Sequence, residues 1–406
     1  MSSRGRPWRR WLGLLLAGAG VALLDVLLVL ALVAAGLASP AAFALGNVLA
    51  AAVVLGLRAV RARRRRRPAT VTVLVTLTGL VLGAVVMLPR PVGGADAGPP
   101  RAERVPRPSG GYLAATTYGG GDLPPLVVVH GGPGIPLTAV EERQVRRLAD
   151  DRPVVVYDQV GTGHSSHLTD PDRYTLATAV ADLDTVVRRV LGAHPGAARV
   201  AFLGYSWGAS VVTAYAAEHP DRVSSLVLMS PGEFPWADQV WPSHTPATRL
   251  TTWGRVRLYG TASEPRNLFL YAAVAAAPDA VPWFVGEDEA DRRFATLYRL
   301  STPGLTCRGE MEDPDRRVGF YAGQVPQLHP DLTGVRRAQL PELSRIPALV
   351  LRGSCDYIGP GVAADYHRLL PRSRYVRVAG AGHALLVEAP DRVVGAIDGF
   401  PVAPAR

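Results

Sequence analysis

A chain of 406 residues is too long for one ordinary domain. Its formal charge of +10 is carried by arginine alone, since the sequence has no lysine, and residues 1–67 hold 11 Arg against a single acid, Asp25. Residues 68–406 balance 33 Arg with 33 acids. The basicity is therefore local to the first 67 residues, and no nucleic-acid partner is expected.

Three apolar segments, at about residues 11–37, 40–57 and 69–88, open the chain. About 20 residues at 1.5 Å each cross the hydrocarbon of a bilayer, so all three are long enough or nearly so. A cleaved signal peptide accounts for one such run but not for three. Two arginine blocks, Arg4–Arg10 and Arg58–Arg67, flank these runs. The preference of Lys and Arg for the cytoplasmic side keeps both blocks inside, leaves the loop Ala38-Ser39-Pro40 outside, and sends everything after Pro89 outside. The expectation is a membrane region over 1–89, with lipid as its partner. The protein would be a multi-pass cell-membrane protein whose later domain is extracytoplasmic. Asp25 falls within the first span, where a charge is costly, and receives no role from the sequence.

Residues 90–110 are rich in Pro, Gly and Arg without apolar periodicity and read as a linker. From Gly111 strands alternate with helices, which predicts an α/β fold with a parallel sheet. Strands are expected at Tyr112–Tyr118, Leu126–His130, Val154–Asp158, Val200–Leu203, Ser225–Met229, Ala348–Arg352 and Tyr375–Val378. Several are unbroken Val/Leu runs, as suits strands buried on both faces. Helices fit Leu137–Asp150, Thr178–Leu191, Ser206–Glu218, Gly361–Leu370 and Asp391–Phe400. A long aromatic-rich interruption separates Met229 from Ala348 and is too long for a bare loop. The sequence thus divides into a core over 111–230 and 346–401 and an inserted, mainly helical cap over 231–345.

Gly204-Tyr205-Ser206-Trp207-Gly208 reads G-x-S-x-G between an apolar strand and a helix. That turn holds a serine in a strained backbone with its hydroxyl pushed outward, and Ser206 is the expected nucleophile. A serine hydroxyl needs a base, and the base needs an orienting acid. In an α/β-hydrolase arrangement they follow in the order Ser, acid, His. Asp356 follows the strand Ala348–Arg352, and His383 follows the next strand. Both positions are at carboxyl ends of strands, where such sheets bind ligands. Glu233, just past the strand ending at Met229, is the alternative acid. His130-Gly131-Gly132-Pro133-Gly134 follows another buried strand, where backbone N–H groups can approach a developing oxyanion. Gly132 is the expected donor there, with the N–H of Trp207 as the second.

No phosphate-loop motif is present and the histidines have no metal-binding spacing, so neither metal nor cofactor is expected. Cys307 and Cys355 are too few for a disulfide framework. They either pair, as the predicted compartment permits, or Cys355 is a small buried residue beside the active site.

His130-Gly131-Gly132-Pro133-Gly134, Asp158-Gln159-Val160-Gly161-Thr162-Gly163-His164-Ser165 and Gly204-Tyr205-Ser206-Trp207-Gly208 together resemble the proline iminopeptidase group of α/β-hydrolases, the S33 serine peptidases. The similarity covers about residues 111–401, the cap excepted. It implies release of an N-terminal residue, often proline, from short peptides through an acyl-enzyme. Some members instead hydrolyse small amides or esters. It also implies acids near the cap that hold the substrate's free amine, for which Glu233, Glu310 and Glu312 stand in suitable places. Two features depart from the group: Val160 stands where an Arg usually follows Asp-Gln, and members are commonly soluble. The expected function is a membrane-anchored serine hydrolase of aminopeptidase type. The alternatives are an esterase or amidase on the same machinery and, from another class, a hydrolase-fold ligand sensor or scaffold.

Overall fold

The computed structural model describes residues 7–62, 69–92, 100–239, 244–309, 311 and 315–400. The chain forms two compact units, Met1–Val92 with Ala262–Glu289, and Gly93–Thr261 with Ala290–Arg406.

In the first unit, α1 (Pro7–Ala34), α2 (Ser39–Ala62) and α3 (Ala69–Met87) follow in succession. Trp11–Ala34, Ser39–Val60 and Ala69–Met87 are each long and apolar enough to cross a membrane. Helix α3 meets α1 through glycine. A Cβ on Gly79 would lie 2.4 Å from Val21 Cβ, and one on Gly83 would lie 2.5 Å from Asp25 Oδ2. Only a residue without a side chain lets the two backbones approach so closely. Asp25 is fully buried there, and neither carboxylate oxygen has a hydrogen-bond partner among the described residues.

The same unit contains Ala262–Glu289, with a helix at Pro265–Ala276 and a 3-10 stretch at Pro278–Trp283. The sequence reading placed this segment in a single cap over 231–345. It folds instead with α1–α3, because its apolar residues and its one buried arginine find their partners there. Arg266 Nη1 donates to Val86 O at 2.6 Å, and Ser39 Oγ donates to Ala280 O at 2.9 Å.

The second unit is built on an eight-stranded sheet: β1 (Glu103–Pro106), β2 (Tyr112–Tyr118), β3 (Leu126–Val129), β4 (Val154–Tyr157), β5 (Val200–Tyr205), β6 (Val223–Met229), β7 (Ala348–Gly353) and β8 (Ser373–Val378). The spatial order is β1-β2-β4-β3-β5-β6-β7-β8. Strands β1 and β2 are antiparallel to each other and β2 to β4, and every later pair is parallel. Every residue of β3 to β7 is buried, which is why these strands are unbroken Val/Leu-rich runs rather than alternating ones. Helices α4 (Ala139–Arg146), α5 (Leu176–Ala193) and α6 (Trp207–Glu218) follow β3, β4 and β5. Thr138 and Glu141 form a reciprocal capping box at the start of α4, and Thr175 caps α5.

Strand β1 corrects the linker reading of residues 90–110. Glu103–Pro106 pairs with Tyr112–Ala115 in the sheet. Two arginines that read as linker are buried in ion pairs: Arg101 with Asp158 and Glu142, and Arg107 with Asp182. Their partners lie tens of residues away, so composition alone reads the segment as solvated. Between β6 and β7 the insertion is helical, at Thr252–Ala262, Pro265–Ala276, Glu287–Ser301 and Phe320–Leu328.

Candidate active site

Ser206 sits between β5 and α6 at φ 54°, ψ −117°, a left-handed conformation for a residue with a side chain. Such strain persists only where the surroundings enforce it. Its N–H donates to Met229 O (2.9 Å), and its carbonyl accepts from Ala209 N (3.0 Å) and Gly232 N (3.2 Å). The flanking glycines make the turn possible. A Cβ on Gly208 would fall 2.1 Å from Val129 O, and one on Gly204 would fall 2.6 Å from Gly208 O.

His383 and Asp356 come together after β8 and β7. His383 Nδ1 and Asp356 Oδ1 are 2.9 Å apart, both buried. Asp356 Oδ1 also accepts from Ile358 N at 3.0 Å. Burial pushes this carboxyl up, but His383, the Ile358 N–H and nearby Arg352 outweigh it and hold Asp356 below the usual carboxylate range. An ionised Asp356 fixes the imidazole with its proton on Nδ1 and leaves Nε2 as an acceptor. The histidine loop is anchored by the insertion and by the residue after β6: His383 N donates to Leu305 O (2.7 Å), and Ser230 Oγ donates to His383 O (2.9 Å). Rings of Tyr357 and Tyr205 flank the imidazole, with centroids at 4.6 and 5.4 Å. Glu233, the other acid considered, does not hold His383. Its carboxylate meets His244 Nε2 at 2.7 Å, and its backbone carbonyl accepts from Ser210 Oγ and Tyr366 OH.

Cys307 and Cys355 form a disulfide. It ties Cys307, inside the insertion between β6 and β7, to the residue before Asp356. Cys307 N and Gly382 N both donate to the Glu388 carboxylate, so one acid joins this strap to the histidine loop.

The glycine loop after β3 faces Ser206. A Cβ on Gly131 would lie 3.0 Å from Ser206 Cβ, so the loop passes close to that side chain. Gly132 follows at φ 111°. His130 holds this loop from behind. Gln159 N–H donates to His130 Nε2 at 2.9 Å, which leaves the proton on Nδ1 facing Gly131 O at 3.0 Å. Burial pulls His130 down to about 4, so the ring is neutral and holds that tautomer. Gln159 Nε2 adds a bond to His130 O at 2.8 Å. Beyond Gln159, burial pushes Asp158 up, but Arg101, at 2.9 Å, prevails and holds it below the usual range. A small cleft opens beside the loop, lined by Gly134, Gln159, Val160 and Trp207 among others.

The alpha/beta hydrolase fold family matches residues 124–390. The chain belongs to that family. Among curated proteins, this hydrolase is 25% identical over 281 residues to the proline iminopeptidase of Lactobacillus acidophilus, covering 66% of this chain and 87% of the relative. It is 24% identical over 279 residues to the proline iminopeptidase of Lactobacillus delbrueckii subsp. bulgaricus, covering 66% and 86%. Among solved structures, an esterase from Rhodococcus sp. is similar at 21% identity and a TM-score of 0.49, covering 73% of this chain and 97% of that one.

Two of the acids expected near the substrate, Glu310 and Glu312, lie outside the described residues. Sequence reasoning missed Glu141. It is buried, burial pushes its carboxyl up against the hydrogen bonds from Thr138 and the charge of His383, and its own charge helps raise Tyr205 and Tyr298. The capping box Thr138-x-x-Glu141 was readable. Its place beside the histidine was not, because that depends on β8 crossing from the far end of the chain. Val160, which departs from the resembled group, lines the cleft next to Trp207 and makes its wall apolar there.

Proposed function

We propose that this hydrolase is a membrane-anchored serine aminopeptidase acting on short peptides through an acyl-enzyme. The buried 2.9 Å pair of His383 and Asp356, on the loops after β8 and β7 of a sheet whose β5 presents Ser206, carries this reading. Ser206 Oγ attacks the scissile carbonyl while its proton passes to His383 Nε2. Asp356 stabilises the imidazolium from the Nδ1 side. The oxyanion is received by the N–H groups of Gly132 and Trp207. The tetrahedral intermediate collapses as His383 returns the proton to the leaving amine. Water, deprotonated by the same histidine, then releases the acyl group.

The names of the curated relatives support an N-terminal specificity. A carboxylate near Ser206 is needed to hold the substrate's ammonium, and Glu233 is the candidate for that role. Its backbone neighbour Gly232 donates to Ser206 O, and its side chain is 23% exposed. The helices α1–α3 cross the cell membrane, and the arginine blocks put the hydrolase outside. A reporter fused after Leu88 is then active only on the outer side, and cytoplasmic activity would overturn the orientation.

A second reading, esterase or small-amide hydrolase, is favoured by the apolar Val160 in the cleft wall and by the His244–Glu233 pair, which competes with an incoming amine. The full chain in detergent, assayed on chromogenic amides of free Pro, Ala and Leu, on their N-acetylated forms and on a short-chain ester, separates the two. Cleavage of free-amine amides only, lost in Ser206→Ala, supports the peptidase. Ester turnover without amide turnover rejects it for the second reading.

A further inference from the structure

The segment Ala262–Glu289 leaves the insertion to fold with α1–α3, and the chemistry above gives its outer face no task. Its helix Pro265–Ala276 buries Arg266, Asn267, Phe269, Leu270, Ala273 and Val274. The opposite face is also apolar: Leu268 (55% exposed), Ala272 and Ala275. From Leu268 to Val285 the single charged residue is Asp279. A water-facing helix would carry charge on that side.

Three attachments of this segment, among the described residues, lie at one side of the three helices. Arg266 donates to Val86 O, in the last turn of α3. The arginine is itself fixed by a two-pronged pair with Glu289 (2.9 and 2.6 Å) and by Phe284 O (2.8 Å). Ser39, which opens α2, bonds Ala280 O, and Phe43 lies 6.0 Å from the ring of Trp283. Consecutive spans alternate in direction, so the start of α2 and the end of α3 share one membrane surface. The outer faces of α1 and α3 are apolar as well, with Leu23, Leu27, Val81 and Val85 exposed.

We propose that Pro265–Trp283 is a membrane-interface element, with Leu268, Ala272 and Ala275 in the acyl region of the lipid and Trp283 at the headgroup level. The apolar surface of the spans continues onto it, which selects lipid over water. A helix of 12 residues is about 18 Å long, too short to cross, so it lies at the surface of the bilayer. Trp283, 37% exposed, has the amphipathic ring that prefers this depth. The insertion between β6 and β7 is thereby pinned to the membrane at one segment of its length.

The inference rests on the membrane reading of α1–α3, and the test separates the two. The sequence has two cysteines, joined to each other, so a single introduced cysteine is the sole free thiol. The full chain is made with Leu268→Cys, Ala272→Cys, Val81→Cys on α3, or Asp365→Cys on the exposed side of the second unit. Each is labelled with an environment-sensitive fluorophore and placed in phosphatidylcholine–phosphatidylglycerol liposomes. Nitroxide lipids carry the quencher either near the headgroup or near the acyl chain end. The expected result is blue-shifted emission at 268 and 272, quenched about twofold or more by the shallow nitroxide and less by the deep one. Label at 81 is quenched by the deep probe, and label at 365 by neither. Water-like, unquenched emission at 268 and 272 with normal quenching at 81 overturns the proposal alone. Blue-shifted emission without nitroxide quenching also overturns it, since protein such as a second copy then covers the face. Loss of quenching at 81 overturns the membrane reading together with it.

Discussion

Replacing Arg101 by Ala tests the most unexpected part of the fold, the joining of a linker-like segment to Asp158, next to the residue that holds His130. The Arg101 side chain is 2% exposed and that of Asp158 is 0% exposed. The guanidinium gives two bonds to Asp158 Oδ1 (3.2 and 2.9 Å) and one to Glu142 Oε1 (2.6 Å). Glu142 keeps Arg316 at 2.7 Å, so the loss falls mainly on Asp158. Removing one partner of a buried pair leaves an uncompensated charge and costs about 3–5 kcal/mol. At about 2–4 °C per kcal/mol for a domain of this size, Tm falls by about 6–20 °C. The pH dependence gives an independent signature. In the native protein Arg101 depresses Asp158, so the pair's contribution is present above the unfolded carboxylate range and is lost as pH falls through the depressed value. In the variant only burial remains, which raises Asp158, and protonation relieves the orphaned carboxylate. The gap between variant and native protein is therefore widest near neutrality and narrows as pH falls. Thermal unfolding of the full chain in detergent, followed by tryptophan fluorescence across pH, measures both. A loss under about 1 kcal/mol at neutral pH, the range of an exposed pair, refutes the reasoning.

Asp356→Asn keeps the shape of the site but removes the charge that fixes the His383 tautomer, so kcat falls about 10³–10⁴-fold with little change in Tm. Steady-state kinetics shows this, and a loss below tenfold would assign the acid elsewhere. Glu233→Gln lowers kcat/KM for free-amine amides by about 10–100-fold, the worth of a hydrogen bond to a charged group, and leaves ester turnover within about threefold. An equal loss on both substrates would make Glu233 structural. Replacing Cys307 and Cys355 together by Ala releases a loop of 48 residues and costs up to about 4 kcal/mol on chain-entropy grounds. Calorimetry of the double variant checks the figure, and an unchanged Tm would show that the strap is held by Glu388 alone.

The parts of the molecule that follow from local rules were legible in the sequence. Buried parallel strands show as Val/Leu runs, and the strand–turn–helix around Ser206 shows as glycines at 204 and 208, each of which has no room for a Cβ. The pairing of Asp356 with His383 follows from strand order, since β7 and β8 are neighbours. What sequence did not reveal depends on partners distant in the chain. Arg101 and Arg107 read as solvated linker because the acids that bury them lie 57 and 75 residues away. Pro265–Trp283 reads as one more helical stretch of the cap, and the bond from Arg266 to Val86 O of α3, some 180 residues away, is not encoded by any spacing. The choice between a paired and a merely buried Cys355 needed the 5.5 Å Cα separation from Cys307, which no spacing in the sequence encodes.

The claim that Ser206 is an activated nucleophile is tested most directly by a serine-directed fluorophosphonate probe on the full chain in liposomes, with the labelled peptide located by mass spectrometry. Stoichiometric labelling of Ser206 is predicted, with labelling of His383→Ala slowed by about 10³-fold or more and none in Ser206→Ala. Labelling that persists in Ser206→Ala, or a native chain that takes up no probe, would contradict the account.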